Sequence, residues 1–186
     1  MAAQHSLDEL NAGLDAVRSS PVDDGSLELI VRRPEVGARE ELDEGELDLG
    51  DGLVGDTWNR RPSKKTPDGS PHLEMQLNVM NVRAALLVAA GDASRRALCG
   101  DQLYVDLDIS EANLPPGTRV AIGDVAVIEV TAEPHRGCAK FSERFGVDAV
   151  RFVNSPDGRQ LKLRGINAKV VVPGSIRRGD TVRKLS

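Results

Sequence analysis

Aromatic residues are nearly absent: one Trp, one Tyr and three Phe make up 3% of the 186 residues. A core must therefore come from Val, Leu, Ile and Ala. The scarcity also counts against the stacking platforms that bind single-stranded nucleic acid, so no nucleic-acid partner is expected. No apolar run approaches the roughly 18 residues of a membrane span, and no membrane association is expected. The opening Met-Ala-Ala-Gln-His-Ser-Leu-Asp-Glu-Leu has neither a basic start nor an apolar stretch. It does not read as a secretory signal. Cysteine is scarce too, at positions 99 and 138 only. That excludes a disulfide framework and a ferredoxin-type cluster, and a reducing cytoplasm is the expected location. Neither the phosphate-cradling Gly-x-x-x-x-Gly-Lys-Ser/Thr nor the dinucleotide Gly-x-Gly-x-x-Gly occurs in context. His135-x-x-Cys138 is half of a zinc site. With neither His5 nor His72 at ligand spacing from Cys99, the other half is missing.

What is present is an ordinary globular composition, 40% hydrophobic and 28% charged, with a net charge of −5. The charge is unevenly spread. Residues 1–50 hold 13 acidic residues against 4 arginines, whereas residues 131–186 hold 12 Lys and Arg against 5 Asp and Glu. A basic field there suits an anionic small ligand, and suits equally a solvated surface that balances the acidic front.

Helical spacing of Leu7, Leu10, Leu14 and Val17 behind Ser6 predicts a helix over residues 5–19. Residues 1–25 then form a helical extension and residues 26–186 a mainly β, barrel-like domain. Strands are predicted at 26–33, 73–78, 102–108, 118–122, 125–131, 161–164, 168–172 and 181–185. Gly123-Asp124 reads as a hairpin turn, residues 154–158 as another turn, and residues 59–71 as a polar loop. The acidic segment 35–51 lacks the spacing of a calcium loop and reads as a solvated, charged edge. Asn81 to Ala90, closed by Gly91, is the clearest helix; it is apolar almost all round and should pack against the barrel.

The stretch Val130 to Val150 concentrates the chemistry. Pro134 breaks a β-branched run, Gly137 turns the chain, and Cys138 opens a short helix with Phe141, Phe145 and Ala149 on one face. A helix N-terminus and the cations Arg136, Lys140 and Arg144 favour a thiolate, lowering the thiol pKa below roughly 8.5; a protonated His135 would add to this. Cys138 is expected to be accessible, and the three cations to converge beside it. Cys99, between Leu98 and Gly100, reads as inert core. A Cys–His hydrolase would need His72 or His135 as base, and His135 is poorly placed three residues away.

From Gly52 onward the order of pieces resembles the MOSC domain, the C-terminal domain of molybdenum cofactor sulfurases, also found as a stand-alone bacterial protein. The landmarks are Gly52-Leu-Val-Gly-Asp56, Gly100-Asp-Gln-Leu103, Leu114-Pro-Pro-Gly-Thr-Arg-Val-Ala-Ile-Gly123, Ala126-Val-Ile-Glu-Val-Thr131, the Cys138 turn, Arg164-Gly165 and Val172-Pro-Gly-Ser-Ile-Arg-Arg-Gly-Asp180. The resemblance implies a barrel with a few helices and a molybdopterin-type molybdenum cofactor. It implies Cys138 as catalytic sulfur carrier or molybdenum ligand. Arg136, Lys140, Arg144, His135 and Arg164 would hold the cofactor's phosphate and pterin oxygens. In sulfurases a pyridoxal-phosphate cysteine desulfurase domain delivers the sulfur. No pyridoxal phosphate site is present in this chain, so a desulfurase or a redox protein is the expected partner. Two positions depart from the family pattern: Gly137 replaces a common proline, and Gln102 a common asparagine. The alternative, from another class, is a non-catalytic module that delivers a sulfur-bearing or anionic ligand to a partner enzyme.

Overall fold

The structure, a computed structural model, describes residues 3–185. Met1, Ala2 and Ser186, the outermost residues of the two expected segments, lie outside it. Eleven strands are found among the described residues: β1 (Gly25–Arg32), β2 (Glu40–Leu42), β3 (Glu44–Asp48), β4 (Gly52–Leu53), β5 (Leu77–Asn81), β6 (Leu103–Asp106), β7 (Arg119–Ile122), β8 (Ala126–Val130), β9 (Ile166–Val172), β10 (Gly174–Arg177) and β11 (Thr181–Lys184). Six α-helices accompany them: α1 (Leu7–Ala12), α2 (Leu14–Arg18), α3 (Val82–Val88), α4 (Ala139–Phe145), α5 (Val147–Asn154) and α6 (Pro156–Gln160).

Seven strands close into a barrel in the order β11-β7-β8-β9-β5-β6-β1, and β1 returns to β11. All neighbours are antiparallel except β5 and β6, the parallel pair that α3 connects. Alternation decides which side chains enter: Ala126, Ile128 and Val130 of β8 are buried, while Val127 and Glu129 are half-buried. An irregularity between Leu27 and Leu29 lets Leu27 and Ile30 both join the barrel core. Leu29 and Val31 then point to the opposite face. There they meet a second core formed by Met80, Tyr104, α1 to α5 and all three phenylalanines. Strands β1, β5 and β6 are thus apolar on both faces, the pattern of a sheet covered on both sides.

Several local readings change. Residues 5–19 form two short helices that meet at Gly13, with Ser6 and Glu9 making a capping box on the first. Residues 73–75 are a 3-10 turn. Residues 154–158 open a helix, because Ser155 Oγ accepts the Gly158 N–H and Pro156 takes the first position. Residues 161–164 are not a strand: Lys162 sits at φ +52° and breaks extension. The acidic segment supplies β2 and β3, and β3 joins β4 and β10 in a small separate sheet. Its carboxylates face solvent, but Leu47, Leu53 and Ile176 of that sheet enter the barrel core. No helix of the described residues is long and apolar enough to cross a membrane.

Candidate functional site

A cavity of about 620 Å³ opens where the helical flank meets the barrel. Its floor is set by residues just outside strands: Arg33 after β1, Gly100 before β6, His135 after β8 and Arg164 before β9, with Asn78 in β5. One side is α4 and its cap, contributing Cys138, Lys140, Phe141, Glu143 and Arg144.

Two buried ion pairs frame it. Arg33, 4% exposed, donates from Nε and Nη2 to the two oxygens of Asp56 at 2.8 and 2.7 Å. Its Nη1 reaches Asn78 Oδ1 at 3.1 Å and the Gly100 carbonyl at 2.9 Å. Burial would raise the Asp56 pKa, but the bonds and charge of Arg33 outweigh it and hold the carboxyl low. Arg164, 6% exposed, donates from Nη1 to Asp101 Oδ2 at 2.6 Å and from Nη2 to the Cys99 carbonyl at 3.0 Å. Its guanidinium lies 4.9 Å over the Phe141 ring. The other Asp101 oxygen lies 2.9 Å from His135 Nε2. Against a burial effect that would raise it, Arg164 and then His135 hold Asp101 at about 2.

An ionised Asp101 accepts only, so a neutral His135 must place its proton on Nε2 and present Nδ1 as an acceptor. Burial and then Arg164 push the His135 pKa down, with Asp101 opposing, so the ring is neutral near pH 7. The added positive charge expected of a protonated His135 is not there.

Among the described residues, none of Arg39, Arg61, Lys140 and Arg144 makes an ion pair with a carboxylate. Glu143 is the one acid in the lining. Burial, then Arg144 and Arg33, push the Arg39 guanidinium below its ordinary value, the direction that crowded like charge gives. Arg39 Nε and Arg164 Nε are buried without a hydrogen-bond partner among the described residues. Arg136 does not join this group; it lines a smaller cavity beyond His135.

Cys138 is exposed and caps α4, its carbonyl accepting from the Phe141 and Ser142 N–H groups at 3.0 Å each. Asn154 holds the peptide before it from both sides. Gly137 N–H donates to Asn154 Oδ1 at 3.1 Å, and Asn154 Nδ2 donates to the Gly137 carbonyl at 3.2 Å. A Cβ at position 137 would come within 2.9 Å of Val153 Cγ2. Glycine therefore suits this turn where a proline, without an N–H, would lose the first bond. Gln102 has a role of its own too. Its Oε1 accepts from Asn78 N–H at 2.8 Å, and its Nε2 donates to the Gln76 carbonyl at 3.2 Å and to Asp56 at 3.4 Å. Cys99 is buried, and burial, then Asp101, push its thiol far up. His72 caps the 3-10 turn through Nδ1 and is not part of the lining, so a hydrolase built on it has no base here. Among the described residues no group of three or more His, Cys, Asp or Glu is placed to hold a metal ion.

Of the residues expected from sequence, Cys138, His135, Lys140, Arg144 and Arg164 meet in one cavity and Arg136 does not. Arg33, Arg39, Asn78 and Asp101 were not foreseen, whereas Arg61 comes from the polar loop 59–71, whose Arg60, Arg61, Lys64 and Lys65 were open to an anion-gripping role. Asp101 lay inside the landmark Gly100-Asp-Gln-Leu103, whose acidic residue next to a glycine turn was the one available signal.

Fold and pocket together define a closed β-barrel with one accessible thiol in a cation-lined cavity on its helical flank. The chain belongs to the MOSC domain family, whose pattern matches residues 56–183. Solved structures share the fold. The YUAD protein of Bacillus subtilis is 16% identical with a TM-score of 0.66, covering 86% of this chain and 94% of its own. YiiM of Escherichia coli is 19% identical with a TM-score of 0.57, covering 87% and 70%. YiiM of Geobacillus stearothermophilus is 11% identical with a TM-score of 0.55, covering 90% and 75%. No curated protein matches the sequence.

Proposed function

We propose that the cavity binds a molybdenum–molybdopterin cofactor, with Cys138 as the sulfur that either ligates the molybdenum or carries sulfur to it. The observation that carries this is an exposed thiol beside Arg39, Arg61, Lys140 and Arg144, cations without carboxylate partners among the described residues. The donor set fits the group: a soft sulfur for the metal, and guanidinium forks for phosphate and pterin oxygens. The orphaned Nε atoms of Arg39 and Arg164 are donors still to be used. When bound, the cofactor supplies the redox chemistry of molybdenum.

The chain's own residues bind and orient. Arg39, Arg61, Lys140 and Arg144 neutralise the phosphate. Asp101 fixes Arg164 and the His135 tautomer, so Nδ1 accepts a hydrogen bond from a ligand N–H or O–H. Asn154 fixes the peptide that carries the thiol. Sulfur or electrons would come from a partner, a pyridoxal-phosphate cysteine desulfurase or a redox protein.

The test is metal and pterin analysis of protein purified from a molybdenum-replete host. Molybdenum and pterin should co-purify, Cys138→Ser should lose metal, and Arg39→Gln with Arg144→Gln should lose both. Persulfide on Cys138 without pterin would favour the non-catalytic delivery module instead. A bare thiol with neither sinks both readings. An independent readout is alkylation: the cations should make iodoacetate, an anion, outpace neutral iodoacetamide at Cys138, and Arg39→Gln should reduce that preference.

A further inference from the structure

Sharing His135 and Arg164 with the thiol pocket, but not Cys138, is a second cavity of about 210 Å³. Its wall carries Arg136, Arg159, Lys162 and Arg164, and no acidic residue. Neither Arg136 nor Arg159 pairs with a carboxylate among the described residues; Arg159 Nε donates to the Asn154 carbonyl at 2.8 Å. Lys162 pairs with Glu111. It is held at φ +52°, a conformation that a lysine adopts only under constraint. Its carbonyl accepts from Gly165 N–H at 2.7 Å, and Leu163 N–H donates to the Gly158 carbonyl at 2.8 Å. Gly165, at φ +107°, brings the backbone so close that a Cβ would meet the Val79 carbonyl at 2.5 Å and the His135 ring at 3.2 Å. The loop is thus pinned in the shape that puts Lys162 and Arg164 on one wall. Arg164 contributes to both cavities, and its buried Nε has no hydrogen-bond partner among the described residues.

We infer that this second cavity is a binding site for a small tetrahedral oxyanion of the phosphate or sulfate class. Arg136 and Arg159 line it without carboxylate partners among the described residues, beside Lys162 and Arg164, whose partners Glu111 and Asp101 lie outside the wall, and the volume suits a small ligand rather than a pterin. The site is separated from the thiol pocket only by the His135–Arg164 partition, and Asn154, in its wall, is the residue that holds Gly137. An oxyanion bound here therefore sits against the groups that position Cys138. The inference does not rest on the cofactor reading, since no residue confined to the thiol pocket is used.

The experiment is calorimetric titration of the purified full chain with inorganic phosphate, repeated on two paired variants. Arg136→Gln with Arg159→Gln should weaken phosphate binding at least about tenfold, the loss expected when charge-assisted hydrogen bonds are removed. Arg136→Lys with Arg159→Lys should restore most of it. Arg39→Gln with Arg144→Gln, which removes two cations of the thiol pocket, should leave this binding in place. Because Arg159 also bonds a backbone carbonyl, Arg136→Gln alone serves as the variant that keeps the fold, with a smaller loss in the same direction. Phosphate binding that is abolished by the Arg39 and Arg144 changes and untouched by those at Arg136 and Arg159 overturns the inference. So does a wild type that takes up no phosphate.

Discussion

The barrel interior and the helical flank are both well buried, yet they are built from different residues. Inside the barrel the packed cluster is wholly aliphatic, with Val, Ile, Leu and Ala from every strand of the ring. On the outer face of β1, β5 and β6 the cluster takes all three phenylalanines, Tyr104, Met80 and Cys99. Buried charge distinguishes the flank further, since Arg164 lies over Phe141 and the backbone N–H of Asp101 donates to the Tyr104 hydroxyl at 3.3 Å. Aliphatic side chains of similar volume can exchange at modest cost as long as the interior stays full. A ring that supports a guanidinium cannot be exchanged in that way. Side-chain shape is specific where the site is and interchangeable where the scaffold is.

The sharpest way to break the comparison is to remove buried charge from the flank. Asp101→Ala strands Arg164 and deprives His135 of its acceptor, at an expected cost of about 3–5 kcal/mol. Guanidinium denaturation measures it, and a loss under about 1 kcal/mol would mean the pair is wet and unimportant. Next come matched truncations. Ile128→Ala in the barrel and Phe141→Ala under Arg164 should each cost about 3 kcal/mol. Only the second should change the rate at which iodoacetate modifies Cys138; equal behaviour of the two would erase the division of labour. A smaller effect is expected from Asn154→Ala, about 1–2 kcal/mol for two lost bonds. Amide exchange should then speed up at Gly137 and Cys138 but not in β8, and uniform acceleration would argue for general loosening.

The smallest effect lies in the pH profile of stability. His135 is depressed in the folded state, so the unfolded chain takes its proton first. Stability is complete above the ordinary value of 6.5 and declines as pH falls through it toward the lower folded value. Asp101 is depressed as well; its contribution is present above 3.8 and is lost between there and about 2. Unfolding free energies from pH 8 to pH 2 should show both declines. His135→Gln should flatten the first and keep the second, and an unchanged profile would remove His135 from the linkage.

The strands of the barrel were legible as β-branched runs bounded by turn residues, with full period-two alternation in β8, and the order of landmarks pointed to the family. The small sheet was not: its strands are two to five residues long, and acidic side chains on the outer face hide Leu47. The helix at 156–160 carried its signals openly in Ser155 and Pro156, but a Pro-Asp-Gly run reads first as a turn. Cys138 and its helix were visible because the pattern is local. The pocket was half visible, since Arg33 and Arg39 come from the other end of the sequence, where the acidic content of residues 1–50 masks them, and Arg61 sits in a distant polar loop that sequence alone does not bring to Cys138. Arg136 adjoins Cys138 in sequence yet faces away, because the Gly137 turn separates the two side chains.

The ring is shut by very little. Gly25 and Ser26 pair with Val182 and Thr181, and that short contact is what joins β1 to β11. Without β11, β7 presents an unpaired edge and β1 is paired by β2 only at Ile30–Arg32, leaving its Gly25–Ser26 end open, and exposed edges invite pairing with other chains. The β7–β8 hairpin is local and can form early, whereas closure spans almost the whole sequence and carries the largest loop-entropy cost. By that cost, docking of the four-residue β11 is the pairing expected to form last. Any delay there leaves a nearly finished molecule at its most aggregation-prone.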